Sequence, residues 1–131
     1  MKKVLDSHAL MVFLEKEPGY EKVGSLLVAA AVKDQPLLMS VVNWAEIHYI
    51  VLRELGEQKA QEIERVIMTM PIDLVEADLD LARQAARFKA FKKMSLADCF
   101  AAALAKIRKA ELVTGDREFM AVQNELNILW L

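Results

Sequence analysis

Cysteine is almost missing from this chain: its 131 residues include one, Cys99. No internal disulfide can form, so stability must come from buried apolar surface, as expected in a reducing cytosol. Histidine is equally sparse, with only His8 and His48, which together with one cysteine make too small a set for a zinc site. Four glycines and three prolines exclude long linkers, low-complexity tracts and extended disorder. No run approaches the roughly 18 uncharged apolar residues of a membrane span. The opening Met1-Lys2-Lys3-Val4-Leu5-Asp6 has no apolar stretch before its first acid, so it does not read as a signal peptide and a cytoplasmic location is expected. Positive charge is not in excess either. The net charge is −2, so a nucleic-acid partner would have to be met through a local basic patch or a metal ion.

What is present is apolar and helix-forming. Apolar residues make up 55% of the chain, and the length fits one domain over residues 1–131 that buries roughly two-thirds of its unfolded surface. Short apolar runs at Lys3-Val4-Leu5, Leu37-Leu38-Met39-Ser40, Ile72-Asp73-Leu74-Val75, Leu112-Val113-Thr114 and Ile128-Leu129-Trp130 read as strands. Helical spacing is expected over 8–16, 20–32, 57–70, 77–91, 95–109 and 117–122, and from Val41-Val42-Asn43 to Leu55. Inward-facing positions include Ala9, Leu10, Phe13 and Leu14, then Val23, Leu26, Leu27, Ala30 and Ala31. In later helices they are Ala60, Ile63, Val66 and Ile67, then Leu79, Ala82, Ala86 and Phe88. Strands alternating with helices predict an α/β domain with a short-stranded, mainly parallel sheet covered on both faces, an α/β/α sandwich. The segment Ser95 to Ala105 is the most apolar helix. Its only charge is Asp98 in the first turn, and Cys99 lies within it as a small core residue.

Four acids fall where the topology matters. Asp6 and Asp116 follow strands one and four directly. Open parallel sheets bind ligands outside the carboxyl ends of their strands. Glu46 comes early in the helix after strand two. Asp98 opens the helix that runs antiparallel into strand four, so it should approach Asp116. Each acid also has a capping explanation: Asp6 and Asp116 as N-caps, Ser95-x-x-Asp98 and Asn43-x-x-Glu46 as capping patterns. Four carboxylates at one edge repel, and some must take up protons. A hard divalent cation such as Mg²⁺ or Mn²⁺ relieves this through oxygen ligands.

Val4-Leu5-Asp6-Ser7, Ser40 to Glu46, Ser95-Leu96-Ala97-Asp98 and Thr114-Gly115-Asp116-Arg117-Glu118-Phe119 occur in an order and spacing that resembles a PIN domain. Specifically, the chain is similar to the VapC ribonuclease toxins of bacterial and archaeal toxin–antitoxin pairs. The resemblance covers nearly the whole chain and implies a PIN-like fold. It implies that Asp6, Glu46, Asp98 and Asp116 form the catalytic, metal-binding set, with Ser7 and Thr114 in support; Ser95, as N-cap, supports the site by holding the start of the helix that carries Asp98. One departure is His8, where many relatives carry asparagine. The implied activity is Mg²⁺- or Mn²⁺-assisted hydrolysis of RNA phosphodiesters, and the implied partners are RNA, a cognate antitoxin and a second copy in a homodimer. A nuclease of RNA maturation and a non-catalytic interaction module are alternatives on the same fold. RNA also needs positive surface. Arg83, Arg87, Lys92 and Lys93, with Lys89, crowd the segment before Ser95 and are the candidates. Trp44, Tyr49, Ile50 and Trp130 are candidates for exposed contact.

Overall fold

The computed structural model describes residues 1–131. The elements in chain order are β1 (Lys3–Leu5), α1 (Ser7–Leu14), α2 (Tyr20–Lys33), β2 (Leu37–Ser40), α3 (Val41–Leu55), α4 (Glu57–Met68), β3 (Ile72–Val75), α5 (Leu79–Phe91), α6 (Leu96–Arg108), β4 (Glu111–Thr114), a 3₁₀ segment (Arg117–Val122) and β5 (Ile128–Trp130). All five expected strands form and all pair in parallel, in the order β3-β2-β1-β4-β5. The chain lays strands outward on one side of β1, then returns to lay β4 and β5 on the other. The order therefore reverses at β1, and the crevice beside β1 and β4 is the switch point where α/β folds place ligands.

Alternation along the short strands sorts their side chains to two faces. Val4, Leu38 and Leu112 point into a core built with α5, α6 and the 3₁₀ segment. Leu5, Leu37, Met39 and Val113 point into a second core built with α1 to α4. This is the α/β/α arrangement that the sequence predicts. Helix α6 sits centrally, against α3, α5, β1, β2 and β4. Cys99, Ala101, Ala102, Ala103, Leu104 and Ala105 are all buried. Their small side chains let the helix axis come close to the sheet, and this fixes where its first turn points.

Several inward assignments need correction. Helix α5 buries Leu81, Ala85 and Phe88, while Leu79 and Ala86 are exposed and Ala82 is half-buried. Asp78 is its N-cap and accepts from the Leu81 N–H at 2.9 Å, so the helix starts at Leu79 rather than Ala77. That start sets the stripe 81-85-88 toward α6. Ala31 lies one position past the buried 23-27-30 stripe of α2, and Val66 lies off the 60-63-67 stripe of α4. The expected Asn43 cap is also replaced. Ser40 caps α3 by accepting from the Val42 N–H, and Asn43 is already inside the helix. No helix is long and apolar enough to cross a membrane.

Candidate active site

Helix starts converge on the carboxyl edge of β1 and β4. Asp6 leaves β1 and caps α1. Its Oδ1 accepts from the Ala9 N–H at 2.7 Å and its Oδ2 from the Thr114 hydroxyl at 2.5 Å. Thr114 ends β4, and its Oγ1 in turn accepts from the Asp116 N–H at 3.0 Å. Asp116 caps the 3₁₀ segment by accepting from the Glu118 N–H at 2.9 Å. On α6, the Ser95 Oγ accepts from the Asp98 N–H at 3.2 Å, which is half of a capping box and leaves the Asp98 carboxylate free to face the crevice. The Ser7 hydroxyl donates to Glu46 Oε1 and ties α1 to α3. The capping and clustering readings of these acids are thus compatible: Asp6 and Asp116 each cap a helix and are still joined through Thr114.

A cavity of about 470 Å³ opens here, lined among others by Ser7, Glu46, Ser95, Asp98, Asp116 and Glu118. One carboxylate oxygen each from Asp98, Asp116 and Glu118 lies within 4.8 Å of the others. Glu118 is an acid that the sequence reading did not single out. It was visible in Asp116-Arg117-Glu118, but it lies in a 3₁₀ turn where helical periodicity offers no guide. Glu46 lines the same cavity, whereas Asp6 is fully buried and does not; each is held by a protein hydroxyl. Larger cavities lie elsewhere, one of about 560 Å³ beside β3 and one of about 520 Å³ at the amino edge of β1 and β2. Neither brings together a comparable set of acids.

The electrostatics follow from burial. Asp6 is fully buried, and loss of solvent pushes its carboxyl up to about 7 even though Thr114 and Ala9 donate to it; the charges of Asp116 and Glu46 add to the rise. Asp98 is pushed up to about 9, first by burial, then by a hydrogen bond with Glu118 and the charges of Asp116, Asp6 and Glu118. No lysine or arginine lines the cavity. Within the lining the acids therefore face no lysine or arginine charge, and a divalent cation would supply the missing positive charge. Every donor is a hard oxygen, so the set fits Mg²⁺ or Mn²⁺ in kind.

His8 is exposed, and its Nδ1 accepts from the Gly115 N–H at 3.3 Å. It braces the loop that carries Asp116. Asn43 is fully buried, and its Nδ2 donates to the Ala97 carbonyl at 3.1 Å, joining the first turns of α3 and α6. Cys99 is buried beside the site, and burial raises its thiol, which suits a core residue. The basic candidates do not line the acid cavity. Arg83 pairs with Asp80 at 3.0 Å, Lys92 pairs with Glu125 at 3.3 Å, Arg87 lines a separate groove between α5 and α6, and Lys93 is exposed. Of the candidates for contact, Tyr49 is exposed, Ile50 lines the acid cavity, Trp44 stacks on His48 and Trp130 lies under Arg117.

The sequence profile of the PIN domain matches residues 3–125. The chain belongs to the PIN domain family. A search of curated proteins finds no match. Among solved structures, a chain of VapBC2 from Rickettsia felis, bound to a DNA fragment from its promoter, superposes with a TM-score of 0.78 at 17% identity, covering 100% of this chain and 99% of that one. VapC20 of Mycobacterium tuberculosis, described as a toxin cleaving the sarcin–ricin loop, superposes with a TM-score of 0.72 at 15% identity, covering 92% and 95%. FitAcB from Neisseria gonorrhoeae gives 0.73 at 22% identity, covering 97% and 96%. At these identities the likeness is one of fold. In this PIN domain the acids occupy the switch point of that fold.

Proposed function

We propose that this chain is the toxin of a type II toxin–antitoxin pair, a VapC-type endoribonuclease that hydrolyses RNA phosphodiesters with Mg²⁺ or Mn²⁺. The observation that carries this reading is the meeting of Asp6, Glu46, Asp98, Asp116 and Glu118 at the β1/β4 switch point, without a compensating cation from the protein. A divalent cation bound there supplies a water of lowered pKa and charge stabilisation at the phosphate. Asp98, Asp116 and Glu118 would hold the ion, with Asp6 completing the shell. Glu46, held by Ser7, would take the proton of an attacking water. Thr114 fixes Asp6, and Ser95 fixes the turn that presents Asp98. Arg83, Arg87, Lys92 and Lys93 are proposed to meet the RNA backbone. The similar structures of toxin–antitoxin complexes support a cognate antitoxin as partner, and we extend the proposal to a homodimer acting in the cytoplasm.

Asp98→Asn tests the reading. It removes the negative charge and one ligand oxygen while keeping size and capping, so RNA cleavage should fall by more than about a hundredfold, beyond the usual loss from disturbing an outer-shell partner. Circular dichroism should be unchanged, and growth arrest on expression should disappear. Undiminished cleavage by Asp98→Asn would overturn the proposal. Cleavage that is abolished while the wild-type chain is harmless on expression would point instead to RNA maturation.

A further inference from the structure

A second depression, of about 370 Å³, is lined by Arg87, Phe88, Phe91, Lys92, Lys106 and Glu125 among others. Phe91 ends α5 and is 82% exposed, more than any other large apolar side chain of the molecule. The core does not need it, because α5 already buries Leu81, Ala85 and Phe88. The groove is strongly basic within a chain of net charge −2. Its one acid, Glu125, is shared by Lys92 at 3.3 Å and Lys106 at 3.5 Å. Arg87 and the adjacent Lys93 are exposed and make no ion pair. The Lys106 ammonium also lies 5.4 Å from the Phe88 ring centre. Lys89 donates to the Met94 carbonyl at 2.8 Å and so holds the turn between Phe91 and Ser95.

An open aromatic face beside several cations has a specific chemical complement. It suits a planar base whose neighbours carry phosphates, because stacking and backbone charge are met together. A second copy of this chain is a poorer match, since a twofold contact through this face would bring the same positive surface against itself. The position also suits a substrate. Phe91 lies four residues before Ser95, the cap of the helix that presents Asp98, so their backbones are at most about 14 Å apart. Phe91 is thus joined by one short turn to the segment that presents Asp98.

We infer that Phe91, flanked by Arg87 and Lys93, is a stacking platform for one unpaired base of a single-stranded RNA segment next to the cleaved bond. This inference rests on the nuclease reading for its substrate, but its test is a binding measurement in EDTA and does not use catalysis. Fluorescence anisotropy would follow a labelled single-stranded RNA of mixed sequence, and the same RNA annealed to its complement, on wild type, Phe91→Ala and Phe91→Trp. Phe91→Ala should weaken the single strand about tenfold, within the range for loss of one base–aromatic stack. Phe91→Trp should restore the affinity, and the duplex should bind all three alike. Equal affinity of wild type and Phe91→Ala for the single strand overturns the inference, as does an equal loss on the duplex or failure of the wild type to bind RNA. A sedimentation change in Phe91→Ala without loss of RNA affinity assigns the face to a protein partner and also overturns it. If RNA binds as expected but the wild type cleaves nothing with Mg²⁺ or Mn²⁺, the nuclease reading fails while the platform stands.

Discussion

Asp6 gives each of its oxygens to a protein donor and still cannot ionise cheaply. Its folded pKa, about 7, lies above the ordinary 3.8 because burial outweighs the two hydrogen bonds. The folded state therefore holds this proton more tightly than the unfolded chain does. The associated stability is complete below about pH 4 and is lost as pH rises to about 7, and Asp98 extends the decline toward about 9. Metal-free protein should show a falling melting temperature across this window. Asp6→Asn keeps a cap for the Ala9 N–H and removes the charge, so its metal-free melting temperature at pH 8 should exceed that of wild type; the gap in stability is at most about 4 kcal/mol, from roughly three pKa units. Calorimetry at pH 5 and pH 8 checks both signs. Gly115 offers a second test. A Cβ there would lie 2.7 Å from His8 Cε1. Gly115→Ala should cost about 1 kcal/mol, as one displaced side-chain hydrogen bond does, and His8→Ala in the same chain should remove the clash. A double-mutant cycle in urea measures the coupling.

At the scale of elements, α6 governs the site through what it lacks in volume. Ala101, Ala102, Ala103 and Ala105 are buried to within 1%. Ala102→Leu should force the helix away from the sheet at a cost of about 1–3 kcal/mol, and urea unfolding would show it as a lower midpoint with unchanged slope. The brace from Asn43 to the Ala97 carbonyl is worth about 1 kcal/mol. Asn43→Ala should lose that much stability and, because the brace joins the helices bearing Glu46 and Asp98, more activity than the stability change explains. The strands, the helix order and the edge where the acids meet were legible in the sequence, because apolar runs, caps and breakers mark them directly. The phase of α5 was not. Apolar residues at 79, 81, 82, 85, 86, 88 and 91 surround that helix, so only the cap at Asp78 and the presence of α6 select the buried stripe. The platform residue was missed for the same reason, since Phe91 reads as one more apolar position until α6 is seen to be filled by others.

For the whole molecule, a cation bound at the acid cluster would tie folding stability to cation supply. A ligand that binds only the folded state raises its stability by RT ln(1 + [L]/Kd). Under the proposed function, Mn²⁺ or Mg²⁺ should raise the melting temperature, EDTA should reverse the rise, and the effect should be larger at pH 8 than at pH 5 because protons compete for Asp6 and Asp98. A weakly buffered titration at pH 7 should show protons released as metal binds. An unchanged melting temperature with either ion at pH 8 would count against the donor set. RNA affinity should fall as salt rises, with a slope set by the number of phosphates that the basic groove meets.

The bond from the Thr114 hydroxyl to Asp6 joins residues 108 apart in sequence. Half of the acid edge is made at the beginning of the chain and half near its end, and β1 has its second neighbour only when β4 arrives. Parallel pairings of such long sequence separation form late and slowly. A chain in the course of synthesis therefore carries Asp6, Glu46 and Asp98 without Asp116 and Glu118, and its acid edge is open and incomplete. Under the proposed function, no cutting is possible until the segment carrying Asp116 and Glu118 has joined β1 through β4, so a chain that has not yet made that pairing is inert.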